Sequence, residues 1–132
     1  MRFRIIALVL GLAAASSSAF GHHSFSAEYD PNKPIKLTGK VTEMKRSNPH
    51  AWIYLDVVTN GKVVNWALET GAANALIRRG WRKQDLLFGT ELVVEAWQAR
   101  SGKPTANVST ITFKKDGKKL FAGSTNTPTP TK

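Results

Sequence analysis

The 132-residue chain contains no cysteine. It therefore forms no disulfide, carries no thiolate nucleophile and offers no thiol for a lipid anchor. A zinc or blue-copper centre that needs a cysteine ligand is excluded too. Histidine is nearly as scarce, with three residues, His22, His23 and His50. Acidic residues are few: 9 Asp and Glu stand against 19 Lys and Arg, for a formal charge of +10. No apolar run approaches the roughly 20 residues that a membrane-spanning helix needs. No Ser-His-Asp or Cys-His set can be picked out, and no glycine-rich phosphate loop. The residue inventory favours binding over catalysis.

What the chain does have begins with an export pattern. Arg2 and Arg4 form a short positive start, an apolar run follows from Ile5 to Ala15, and a serine-rich stretch leads to small residues. This is the layout of a cleaved secretory signal. Small residues at Ala19 and Gly21 suit cleavage before His22, and Ser17 and Ala19 suit cleavage before Phe20. In a Gram-negative cell the product is expected in the periplasm, with no transmembrane segment after processing. Removing residues 1–21 leaves 111 residues, enough for one small core, and lowers the formal charge to +8. That charge favours anionic partners such as an envelope component, and export argues against nucleic acid.

Past the signal, residues 22–34 read as an extended arm, with "DPNKP" (Asp30 to Pro34) as a turn-rich stop. Period-two alternation starts at Ile35 and predicts a strand, in which Gly39 marks a bend or bulge. "AWIYLDVV" puts Ala51, Ile53, Leu55 and Val57 on one face and Trp52, Tyr54 and Asp56 on the other. Asn60-Gly61 is the signal for a hairpin into "VVNWALE". "AANALIRRG" (Ala72 to Gly80) reads as a helix with Gly80 as a left-handed cap. "ELVVEAWQA" and "ANVSTITF" are two further strands, and "KDGK" starts a hairpin into a short sixth. The tail "GSTNTPTPTK" has almost no apolar content and is expected to be disordered. The predicted fold class is all-β with one short helix, a five- to six-stranded OB-fold-like barrel with the helix between the third and fourth strands. The expected boundaries are 1–21 for the signal, 22–34 for the arm, 35–122 for the barrel and 123–132 for the tail.

Four segments, "HHSFSAEYD", "NPHAWIYLDV", "NWALETGAANALIRRGW" and "GKKLFAG", resemble a family of small exported bacterial proteins known only as a domain of unknown function. The resemblance runs from about His22 to Gly123. It implies an exported single-domain β protein and marks positions 22–25 and 48–52 as its signature. It brings no activity with it. The chain departs from the family pattern at "AFG", where Ala-x-Ala is commoner before the cleavage site. It departs again at Phe88-Gly89-Thr90, where Pro-Gly-Asp is usual.

The histidines carry the sharpest chemical expectation. With His22 first, its amine and imidazole form a chelating pair, and His50 supplies a second imidazole to complete a T-shaped copper site. With Phe20 first, the amine, two amides and the His22 imidazole form a square-planar site for Cu(II) or Ni(II). The expected metal ligands are His22, His23 and His50, the metal copper, and the neighbouring ligand-binding residues Asn48, Trp52 and Tyr54. The same histidines also suit a turn, or a plug at one end of the barrel. Glu28, Asp56 and Glu69 read equally as ligands or as surface charges. The competing function is a non-metal structural or interaction barrel that binds an anionic envelope component or a protein through its basic and aromatic surface. Of the four tryptophans, Trp66 reads as core and Trp81 as the contact that closes the helix. Trp52 reads as an outward-facing aromatic, and Trp97 belongs to the fourth strand.

Overall fold

The computed structural model describes residues 24–128. Its element order is α1 (Phe25–Glu28), β1 (Tyr29–Lys45), β2 (Trp52–Thr59), β3 (Lys62–Glu69), α2 (Ala73–Arg78), a 3-10 turn (Lys83–Leu86), β4 (Glu91–Ala99), β5 (Thr105–Phe113) and β6 (Lys119–Phe121). The protein is all-β with short helices, as its alternating pattern predicts. No helix among the described residues is long and apolar enough to cross a membrane.

The strands pair in the order β3-β2-β1-β4-β5-β6, and all of these neighbours are antiparallel. A further, parallel pairing joins Ala67–Glu69 of β3 to Thr105–Asn107 of β5. The pairings therefore run round a circuit, β1-β2-β3-β5-β4 and back to β1. β6 covers the rest of β5, at Thr110–Thr112. Strand edges left open would template pairing with other chains, and this circuit shortens the open edges to part of β3, part of β1 and the outer side of β6.

β1 changes partner partway along its length. It pairs with β4 as far as Lys40 and with β2 from Lys40 to Lys45. The change falls at Gly39 and at a bulge between Val41 and Glu43. A Cβ at Gly39 would collide with the Asp56 carbonyl oxygen of β2. Glycine is required there because the two backbones approach closely at the bend. β2 and β3 are joined by a tight turn with positive φ at both Asn60 (50°) and Gly61 (76°), as a type I′ hairpin needs. The helix cap also follows the sequence. Gly80 has φ of 93°, its N–H donates to Ile77, and the Trp81 N–H donates to Leu76, a complete Schellman closure.

Core residues come from the inward face of every long strand: Val41, Ile53, Leu55, Leu68, Leu92, Val94, Val108 and Ile111 are fully buried. Leu76, Trp81 and Leu86 close one end. Trp81 packs on Phe113 and donates its indole N–H to the Phe121 carbonyl. Trp66 is half-buried against this core. A second, separate cluster holds Tyr29, Trp97 and Ala99, with Phe25 packed on it.

Two segments depart from expectation. β1 begins at Tyr29 rather than Ile35, because Tyr29 pairs with Ala99 of β4. Between Tyr29 and Pro34 the register shifts, so the proline-bearing stretch makes an excursion that needs no ladder donor from Pro31. The segment after β6, expected to be disordered, is held as far as Thr127. The Thr127 hydroxyl donates to the Asn107 side chain (2.7 Å), and the Gly123 carbonyl accepts from Arg79 (2.6 Å). Its order comes from polar contacts, which composition does not reveal.

Candidate functional site

The β2–β3 ladder ends in a cross-strand pair, Trp52 opposite Glu69. Both side chains lie on the face away from the main core. Two more hydrogen bonds extend the ladder beyond the strands, Thr70 N–H to Ala51 and Ala51 N–H to Gly71. They seat His50 beside Thr70. The loop before it, Ser47-Asn48-Pro49, has a cis Asn48–Pro49 peptide. It is fastened from two sides. The Ser47 hydroxyl donates to the His50 carbonyl, and the Ala73 N–H of α2 donates to the Ser47 carbonyl (3.1 Å).

The opposite wall comes from the start of the described chain. Phe25 of α1 packs edge-on against Trp97 of β4, with ring centroids 5.6 Å apart at 89°, and lies 5.7 Å from the Tyr29 ring. Such aromatic pairs fix a short helix that could not hold its own shape in water. Arg100 adds a hydrogen bond from its side chain to the Ser26 carbonyl (2.8 Å). The outcome is a cleft of about 420 Å³. Ser24, Phe25, Glu28 and Tyr29 form one side of it, and Ser47, Asn48, Pro49, His50 and Trp52 another. Glu69 and Asn107 lie between, and Ser124 and Asn126 come from the segment after β6.

A continuous set of polar contacts crosses the floor. The Tyr29 hydroxyl donates to Glu69 Oε2. The other carboxylate oxygen, Oε1, lies 3.1 Å from His50 Nδ1, which is also 3.1 Å from the Thr70 carbonyl oxygen. Both neighbours of Nδ1 are acceptors, so Nδ1 carries the proton and donates. In the neutral imidazole, Nε2 is then the nitrogen with the free lone pair. Glu69 is 7% exposed, and its carboxylate is satisfied by these two donors. Burial first, then the hydrogen bond to Glu69 and the charges of Glu69 and Glu28, hold the Tyr29 phenol protonated far above its ordinary range.

The residues singled out from sequence divide into three groups. His50, Asn48 and Trp52 line the cleft together. Tyr54 does not. It lies one pleat further along β2, with the Lys45 ammonium 4.9 Å from its ring centre. His22 and His23 lie outside the described residues. Among the described residues no group of three or more His, Cys, Asp or Glu is placed to hold a metal ion. Sequence reasoning passed over Tyr29 and Asn107, marked Phe25 only as part of the family signature, and left Glu69 between ligand and surface charge. Glu69 sits at an outward position of its strand and is buried by long-range cover: Tyr29 of β1 and His50 bond its carboxylate, and α1 and the segment after β6 line the same cleft. Its one legible signal is the acid directly after the buried Leu68, at the end of an apolar strand.

No curated protein and no solved structure matches the chain. A family model covers residues 9–108, and by that match the chain belongs to a family of unknown function (DUF6152).

Proposed function

We propose that the protein is an exported, periplasmic binding module built on an OB-like barrel, and that it binds copper with His50 and the amino-terminal histidines His22 and His23. The circuit of pairings β1-β2-β3-β5-β4, with α2 between β3 and β4, supports the barrel reading. The basic start, short apolar run and small residues before His22 support export.

One observation carries the metal reading. Ser24 and Phe25, the residues that directly follow His22-His23, line the same cleft as His50. Successive Cα atoms are about 3.8 Å apart, so a cleft lined by Ser24 and Phe25 and holding the third histidine lies within reach, along the chain, of a pair that directly precedes Ser24. The state of His50 agrees with a ligand role. Histidines that bind metals commonly donate their second ring nitrogen to a carboxylate or carbonyl, which fixes the tautomer and the ring orientation. His50 Nδ1 has both kinds of acceptor at 3.1 Å. Nitrogen donors without thiolate suit Cu(II) in a tetragonal arrangement, and the chain has no thiolate to offer. Asn48 and Trp52 would then stand beside the metal and shape access to it.

The test is calorimetric Cu(II) titration of protein recovered after export, its amino terminus read by mass, beside His50→Ala. A single tight site is expected in the parent, weakened on the order of a hundredfold by the substitution. Equal affinity in both proteins would reduce the site to a chelating chain end and remove His50 from it.

A further inference from the structure

We infer that the far end of the β2–β3 hairpin, together with the turn before β4, is a docking face for an anionic lipid surface. The observation is an apolar patch on a rigid, cationic frame. Val58 and Val63 face each other across the hairpin, and they are 69% and 64% exposed. Phe88 is 83% exposed. All three line one open groove of about 590 Å³.

Phe88 is held out by structure, not by a loose loop. It occupies the turn Leu87–Thr90, closed by the Thr90 N–H to the Leu87 carbonyl (3.0 Å). Gly89, with φ of 82°, makes the turn possible. The turn is tied to β1 on both sides, by Gly89 N–H to Val41 and by Val41 N–H to Thr90. The ring therefore projects from a fixed base, as an inserting wedge must.

The charge on the rim selects the partner. Lys40 and Lys114 line the groove and share one carboxylate, Glu91, at 3.7 and 3.6 Å. Asp56 lines the groove as well, its carboxylate accepting from the Asn65 amide (2.7 Å), so the lining itself is balanced and the excess positive charge lies around it. Lys62, beside Val63, and Lys115, beside Lys114, supply that excess and are exposed. An aliphatic pair and a protruding ring enclosed by lysines match the boundary between anionic headgroups and acyl chains. The face lies six residues along β2 from Trp52, about 20 Å at the usual strand rise. It therefore stands apart from the histidine cleft, and it holds or fails whatever becomes of the copper reading.

The test is co-sedimentation of the exported protein with vesicles of phosphatidylcholine alone and with vesicles containing phosphatidylglycerol. Binding is expected to the second kind only and to weaken as salt is raised. Phe88→Ser is expected to lower the partition coefficient about tenfold, from the apolar area it removes. Val58→Thr, which keeps a β-branched residue in the strand, is expected to lower it less. Ile77→Ser, at a similarly exposed apolar position on α2, is expected to change nothing. Equal binding to both kinds of vesicle, none to either, or binding indifferent to Phe88 overturns the inference. So does self-association of the parent that Phe88→Ser abolishes while vesicles go unbound, which would assign the face to a second copy of the chain.

Discussion

The two ends of one β-ladder invert the usual relation between polarity and burial. At one end Glu69 faces Trp52 and is 7% exposed. At the other end, on the same face of the same two strands, Val58 faces Val63 and both are mostly exposed. The strands themselves do not decide this. The charged end is enclosed by Tyr29 at the start of β1, by the His50 loop, by α1 and by the segment after β6, which line one cleft, and the aliphatic end lines an open groove. Burying a carboxylate is costly unless its oxygens are satisfied, and here the cover arrives with two donors, Tyr29 and His50. Leaving two valines and a phenylalanine in water forgoes the stabilisation their burial would bring. Each end departs from what folding alone favours, and those departures are where function is expected.

The largest test of the comparison removes the charge at the covered end. Glu69→Ala leaves the buried Tyr29 hydroxyl without its acceptor and takes one acceptor from His50. A loss of about 2 kcal/mol in urea unfolding is expected, together with Cu(II) binding weakened tenfold or more through the misplaced imidazole. A stability change under about 0.5 kcal/mol, the ordinary range for surface substitutions, would mean that Glu69 is in effect a surface residue and would break the contrast.

A smaller effect lies in pH. The Tyr29 phenol ionises in the unfolded chain near its ordinary value of 10.0 and in the folded chain well above it. Its contribution is therefore complete below pH 10 and is lost as the pH rises beyond that value, because the unfolded state alone releases the proton. The parent is expected to lose stability above pH 10 more steeply than Tyr29→Phe. The difference approaches about 1.4 kcal/mol per pH unit for one proton. Denaturant midpoints measured across that range decide it, and parallel curves for the two proteins would show that the phenol is not enclosed as described.

Much of the frame was legible in the residues. The alternation of Ile53, Leu55 and Val57 with Trp52, Tyr54 and Asp56, the Asn60-Gly61 turn and the Gly80 cap are local signals, and local geometry honours each of them. What was not legible depends on long-range cover. Pro31 and Pro34 read as a stop, yet β1 starts before them because Tyr29 finds Ala99 seventy residues later. Thr127 belongs to a stretch without apolar residues, yet it is buried because Asn107 accepts its hydroxyl proton. Glu69 and Val58 look alike to a period-two rule, as outward positions on paired strands. Only the segments folded over one end distinguish them. The same holds for the site. Asn48, His50 and Trp52 could be named from the family signature at 48–52 and their closeness along the chain, and the partners that set the His50 tautomer could not.

The central claim is that His50 and the amino-terminal histidines share one metal. The most direct measurement is the electron paramagnetic resonance spectrum of the one-to-one Cu(II) complex of the exported protein, beside that of His50→Ala. The account predicts nitrogen hyperfine structure from imidazole in the parent and a changed copper hyperfine coupling in the variant, as one nitrogen donor is replaced. Superimposable spectra would contradict it, because copper would then sit on the chain end alone and the cleft would hold something else.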